Sequence, residues 1–126
     1  MRIFRSSDAP VGPVDPATFV GQATVQRLAH DETSVPVGVY RVTFSDGART
    51  NWHTHSGPQW LFVIEGRVRV RAEGGISQDL NAGDAVVIAA GERHWHGAAP
   101  GHAGTHIAVN VNAETKWLES VSDEEV

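Results

Sequence analysis

The sequence contains no cysteine, and this absence removes several kinds of chemistry at once. Without a thiol there can be no cysteine nucleophile, no cysteine-ligated zinc and no disulfide framework. Long apolar runs are missing too, because the two longest, residues 61–64 and 85–90, are far too short to span a bilayer. We therefore expect no membrane-spanning segment and no thiol catalysis.

A concentrated positive charge is also missing. The formal net charge is −5, and the one basic stripe, Arg67, Arg69 and Arg71, alternates with valines as on the solvent face of a strand. We expect no nucleic-acid partner. The first residues lack the apolar core of a secretory signal, so we expect a cytoplasmic location. The length of 126 residues is typical of one domain, which we place at residues 1–126.

What the chain does contain is a series of short β-type runs separated by Gly, Pro, Asn, Asp and Ser. The runs are 23–28, 37–45, 60–64, 68–72, 76–80, 85–89 and 105–111. This spacing, without a helical period of useful length, predicts an all-β sandwich or barrel. Prolines at 10, 13 and 16 predict an irregular N-terminal arm. The tail after residue 114 is short, and Trp117 and Val121 stand four apart there, which favours a short terminal helix.

Histidine is abundant, with seven residues, and five of them stand in alternating strand-like patterns. His53 and His55 face the same side of a strand, as do His94 and His96, while His106 lies on a later strand. A single histidine of this kind is usually an ordinary structural residue. Five histidines that a small barrel would bring together are better explained by a metal site. Imidazole suits Zn, Cu, Ni, Fe and Mn alike.

Two further polar residues share these faces. Gln59 has the same parity as Leu61 and Val63, on the strand that would return beside the first histidine pair. Asn110 has the same parity as His106 on the last strand. Both amides are therefore candidates to face the histidine cluster.

Segment 47–66 resembles the first motif of the cupin superfamily, G-x5-H-x-H-x3-E-x6-G. Gly47, His53, His55 and Gly66 are in place, and Gln59 stands where glutamate is usual. Segment 83–98 resembles the second motif, G-x5-P-x-G-x2-H-x3-N.

The second match rests on Gly83, Gly91 and His94, whereas Ala89 replaces the proline and Ala98 replaces the asparagine. The resemblance implies a small jelly-roll barrel, a double-stranded β-helix. It also implies one divalent transition metal at the barrel mouth. Its ligands would be His53, His55, Gln59 and His94.

A narrower similarity covers GARTNWHTH, RHWHGAAP, THIAV and WLESVSDEE. These segments resemble small bacterial single-domain cupins that include manganese-dependent hydroxynitrile lyases, in which a glutamine ligand is normal. The resemblance implies manganese, with iron, zinc and nickel also open, and a homodimer. It implies proton-handling roles for His106, as general base, and for His96.

The same similarity places Thr50 at the substrate pocket. Tyr40 and Asn110 depart from the lyases, which carry a small apolar residue and a glutamine there. Tyr40 and Val42 share parity on one strand, so we expect both to line the cavity, where Tyr40 either narrows it or donates a hydrogen bond. Packing into the core is an equal alternative for Tyr40.

With a neutral amide in place of a carboxylate, no ligand offsets the positive charge of the metal ion. This favours Lewis-acid chemistry over redox chemistry. We therefore predict a metal-dependent enzyme of lyase type that acts on a small molecule, by cyanohydrin cleavage or related carbon-acid chemistry. Two alternatives stay open at this point. One is a small metal-dependent dioxygenase or oxidase, and the other is a non-catalytic ligand-binding or sensing cupin.

Overall fold

The computed structural model describes residues 1–126, which form twelve β-strands and two short 3-10 turns, with no α-helix. The strands are β1 Val11–Pro13, β2 Phe19–Val20, β3 Ala23–Asp31, β4 Val37–Phe44, β5 Arg49–Thr50, β6 His53–His55, β7 Gln59–Ala72, β8 Gln78–Asn81, β9 Ala85–Ile88, β10 His94–Ala98, β11 Gly104–Val111 and β12 Thr115–Trp117. The turns are Ser6–Asp8 and Asp123–Glu125. No helix here has the length and apolar character needed to cross a bilayer.

The strands form two antiparallel sheets that share β7. The first sheet runs β1-β3-β4-β11-β7-β9, through the first half of β7. The second runs β2-β5-β10-β7-β8 through the other half, with β6 on β10 and β12 on β6. This arrangement confirms the predicted all-β jelly-roll class.

Alternation along the strands creates the interior. Val42, His106 and Val63 pair across β4, β11 and β7, and all three are buried. One core cluster centres on Phe44 near this row, and a second centres on Leu61. Histidine side chains such as His106 therefore line part of an otherwise apolar interior.

The sequence suggested a break at Glu65–Gly66, but the chain runs through it as one long strand. The pairing of β7 with β11 shifts register beside this point, and Gly66 has a φ of 66°. Ile64 is the extra residue of this bulge, and together with the positive φ of Gly66 it lets one strand serve two sheets.

Both ends of the chain are more regular than expected. The arm predicted to be irregular contains β1 and β2, which pair with β3 and β5. At the other end the expected helix is wrong for residues 115–117, which form β12. Only Asp123–Glu125 turn helically, capped by Ser122 and Glu125. Tertiary pairing with β6 overrides the local spacing of Trp117 and Val121.

Candidate metal site

Two short strands bring the histidine pairs together. β6 and β10 are antiparallel neighbours, and His94 pairs directly with His53. The ring centroids of these two residues are 4.2 Å apart, and His55 lies 4.9 Å from His53 and 5.4 Å from His94. The three side chains proposed as imidazole ligands are therefore close neighbours, and all are buried.

His96 joins the same cluster. Ring nitrogens of His53, His94 and His96 all lie within 4.8 Å of one another, so three buried histidines form a possible metal site. The sequence placed His55 rather than His96 among the ligands. The rings of His55 and His96 both border the cluster. Each stands two residues after a central histidine, His53 or His94, on the same face of its strand.

Backbone carbonyls fix two of the rings. His53 Nδ1 donates to the carbonyl of Asn51 at 2.8 Å, and His94 Nδ1 donates to the carbonyl of Glu92 at 2.8 Å. A carbonyl only accepts, so the proton resides on Nδ1 and the lone pair on Nε2. This is the arrangement that metal-ligating histidines use.

Gln59 presents its amide oxygen to the cluster. Gln59 Oε1 lies 3.3 Å from His94 Nε2, while Gln59 Nε2 donates to Asn110 Oδ1 at 2.8 Å. Asn110 thus orients the whole amide of Gln59 by accepting from its NH2 group. Asn110 was expected only at the substrate pocket, so this contact with Gln59 is an additional one.

The donor set fits a divalent transition metal. The Nε2 atoms of His55 and His96 are buried without any hydrogen-bond partner, which is costly unless something else binds them. Burial and neighbouring histidines lower the pKa of His53 well below its usual value and that of His55 to about 4. Burial also lowers the pKa of His94. Neutral imidazole is the form that binds metal.

A second histidine contact lies deeper. His96 Nδ1 and His106 Nε2 are 2.9 Å apart, and His106 Nδ1, like His96 Nε2, has no partner. Burial lowers the pKa of His106 to about 4 and that of His96 well below its usual value, the latter with help from His106. The two rings form a neutral pair that shares one proton, with one free nitrogen at each end.

The cluster opens into a cavity of about 280 Å³. Its wall includes the four residues predicted for the substrate pocket, Tyr40, Val42, Thr50 and Asn110. Thr50 has a structural contact too, because its hydroxyl accepts from the backbone N–H of His96 at 3.2 Å.

The sequence did not indicate several other residues of this wall. They are Pro13, Val14, Asp15, Thr18 and Phe19 from the N-terminal segment, and Thr115 and Trp117 from β12. Thr115 contacts His55, and the Trp117 ring lies 4.6 Å from that of His53. Neither has a local signal, because their position depends on pairing of β12 with a strand about 60 residues earlier.

The remaining tryptophans lie away from the ligands, because each is next to a candidate ligand in the chain and neighbouring side chains on a strand point to opposite faces. Trp52 and Trp95 pack with Val121 in a buried cluster beneath the C-terminal tail. Trp60 faces outward on β7 and is exposed.

Taken together, the fold and the site define a small jelly-roll protein with a buried histidine site at the end of the barrel. The Cupin domain family matches residues 40–111, more than half of the chain. The chain therefore belongs to the cupin family, as its motifs indicated.

Individual relatives agree with this. The (R)-mandelonitrile lyase of Granulicella tundricola is 40% identical over 117 residues, covering 90% of this chain and 88% of that protein. The structure of a cupin-like protein from Thermotoga maritima superposes with a TM-score of 0.86 at 37% identity, covering 90% of this chain and 88% of that one. The polyketide cyclase RemF from Streptomyces resistomycificus gives a TM-score of 0.76, covering 99% and 89%, and at 20% identity it shows a shared fold alone.

Proposed function

We propose that the protein is a metal-dependent lyase that cleaves a small cyanohydrin into a carbonyl compound and hydrogen cyanide. The observation that carries the proposal is the meeting of His53, His94 and Gln59 beside the His96–His106 pair. All of these except His94 line the one small cavity. The similarity to an (R)-mandelonitrile lyase supports it and suggests an aromatic cyanohydrin as substrate.

We assign the metal to His53, His55, Gln59 and His94, with His96 left for proton chemistry. Manganese is the preferred ion, and iron, zinc and nickel are the alternatives, because imidazole and amide oxygen accommodate all of them. A bound divalent ion would act as a Lewis acid that makes a nearby substrate hydroxyl more acidic. The ligand set carries no negative charge to offset this effect.

The histidine pair supplies a base and a donor in one tautomer. If His106 Nε2–H donates to His96 Nδ1, then His106 Nδ1 carries a free lone pair and His96 Nε2 carries a proton. His106 Nδ1 then accepts the hydroxyl proton as the carbonyl double bond forms and the C–CN bond breaks. The electron pair of that bond leaves with cyanide, to which His96 Nε2–H donates.

The cavity limits what can bind. Its volume of about 280 Å³ lies near the lower end of the range of small-molecule sites, roughly 300–1,000 Å³. Tyr40 and Val42 form an apolar part of the wall, and Tyr40 also packs against both core clusters. A compact substrate with one ring fits these dimensions.

The decisive assay is cleavage of mandelonitrile under strictly anaerobic conditions, followed as benzaldehyde and cyanide released in equal amounts. We expect turnover without oxygen, loss of turnover after chelation, and recovery on adding Mn²⁺. Oxygen uptake coupled to turnover would favour the oxygenase alternative instead. Tight binding without any turnover would favour a sensing cupin.

We also propose a homodimer formed through the outer face of the first sheet. Trp60, Phe62, Ile64 and Val87 are each 42–49% exposed there, and the two aromatic rings stack 6.4 Å apart. Contiguous exposed apolar surface of this kind marks an interaction site, and one copy of the chain offers a matching surface to another. Sedimentation should show a dimer that Phe62→Lys dissociates and that Ile76→Lys, on a separate exposed loop, leaves intact.

The cytoplasmic location and the single domain 1–126 stay predictions.

A further inference from the structure

The three candidate imidazole ligands do not have the same kind of partner at Nδ1. His53 and His94 donate to backbone carbonyls, whereas His55 Nδ1 lies 2.9 Å from the hydroxyl oxygen of Thr115. A carbonyl can only accept a hydrogen bond, but a hydroxyl can accept or donate. This difference decides which nitrogen of each ring carries the proton before a metal binds.

His55 can therefore exist in two tautomers in the metal-free protein. When Thr115 accepts, His55 carries its proton on Nδ1 and its Nε2 lone pair faces the cluster. When Thr115 donates, the proton is on Nε2, which is buried without a partner and cannot bind a metal. The rings of His53 and His94 lack this second option.

We propose that Thr115 is a positioning residue for His55, the one candidate imidazole ligand whose tautomer can switch. Metal binding then requires the Thr115 hydroxyl to act as acceptor, which sets His55 Nε2 free. The proposal rests on the metal site of the proposed function but not on the reaction. It concerns a hydrogen bond that the ion itself does not touch.

The strand that carries Thr115 is firmly held, so its hydroxyl has a defined place. β12 pairs with β6, with Thr115 opposite His55 and Trp117 opposite His53. The tail beyond it is fixed by Arg49, which is buried and donates twice to the carbonyl of Val121 and once to Asp123. The Thr115 hydroxyl is therefore held next to His55 Nδ1.

The test compares Thr115→Val and Thr115→Ser with the wild-type protein, using Co²⁺ as the probe. Titration followed by visible absorption should show affinity lowered about 10- to 100-fold for Thr115→Val and close to wild type for Thr115→Ser. Thr43→Val is the matched control, because it removes a hydroxyl bonded only to Thr105, away from the cluster. Thermal unfolding of the metal-free variants checks that they fold.

Imidazole ¹⁵N NMR of the metal-free protein gives a second, independent measurement. We expect single Nδ1–H tautomers for His53 and His94, and a mixture for His55 that collapses to Nδ1–H on adding Zn²⁺. A single Nδ1–H tautomer for His55 without metal, or unchanged Co²⁺ affinity in Thr115→Val, overturns the proposal. Either result leaves cyanohydrin cleavage untouched, and failure of that cleavage leaves the role of Thr115 intact.

Discussion

Each histidine ring has two nitrogens, and the chemistry of this site depends on which one faces the cluster. Residues two positions before His53 and His94 supply the carbonyls that hold their Nδ1 atoms. The backbone just before β6 and β10 therefore prepares these rings as ligands. His106 differs because its Nε2 is held by another imidazole, which leaves Nδ1 free for proton transfer.

His106→Gln should retain metal and lose turnover. The glutamine NH2 group can still donate to His96 Nδ1, but no group remains to accept the substrate proton. We expect kcat to fall by about 10²- to 10⁴-fold, with the metal content of the purified protein unchanged by elemental analysis. His102→Gln, an exposed histidine outside the cavity, is the control. Full activity of His106→Gln would remove this residue from the mechanism.

Asn110→Leu should weaken metal binding without abolishing folding. The change removes the acceptor that directs Gln59 Nε2 away from the cluster, so the amide can turn its NH2 group towards the ion. We expect affinity to fall about tenfold, measured by Mn²⁺ titration. Asn110→Asp keeps an acceptor and should bind at least as tightly as the wild-type protein. Equal affinities for Leu and Asp at this position would show that Gln59 needs no such support.

The sequence predicted most of these residues but not their partners. Alternation alone placed His53 with His55 and His94 with His96, because strand parity is a local property. Thr115 could not be found in this way, since its contact with His55 depends on the fold returning β12 to β6. The missed residues are those that reach the site only through pairing between distant segments.

At the scale of strands, close approach of backbones matters most at Gly97, directly after His96. A Cβ atom there would clash with the carbonyl oxygen of Ala48 and would lie 2.6 Å from the Cα of Arg49. β10 and β5 pair at this point, so only glycine allows them to come together. The position of His96 depends on that contact.

Gly97→Ala should therefore destabilise the protein by about 2–4 kcal/mol, the range of severe overpacking and strain. Gly12→Ala is a matched control, because nothing lies within 4 Å of an added Cβ there. Urea denaturation of both variants, in metal-free buffer, measures the difference in the free energy of unfolding. Equal stabilities would mean that β5 can move aside freely.

The element predictions failed where two distant segments meet. The seven runs of β-type residues correspond to strands, because their composition and spacing are local signals. The joining of two runs into β7 and the pairing of β12 with β6 were not predicted. Both depend on how the two sheets share strands, which no short window of sequence contains.

At the scale of the whole molecule, the barrel encloses five histidines that are neutral in the folded state. Burial lowers the pKa of all five, to about 4 for His55 and His106. In the unfolded chain these groups titrate near 6.5. Between the two values the unfolded state binds more protons, so protonation favours unfolding.

The metal-free protein should consequently lose stability as the pH falls from about 6.5 towards 4. Above pH 6.5 the neutral rings make their full contribution to the free energy of unfolding. Below pH 6.5 each ring lowers the free energy of unfolding by up to about 1.4 kcal/mol per pH unit. Carboxylates such as Asp79, whose pKa Arg69 lowers, lose their contribution only at more acidic pH. Urea denaturation with EDTA at pH 7.5, 6.5 and 5.5 measures the effect. A free energy of unfolding that stays constant down to pH 5 would show that the cluster already takes up protons in the folded barrel.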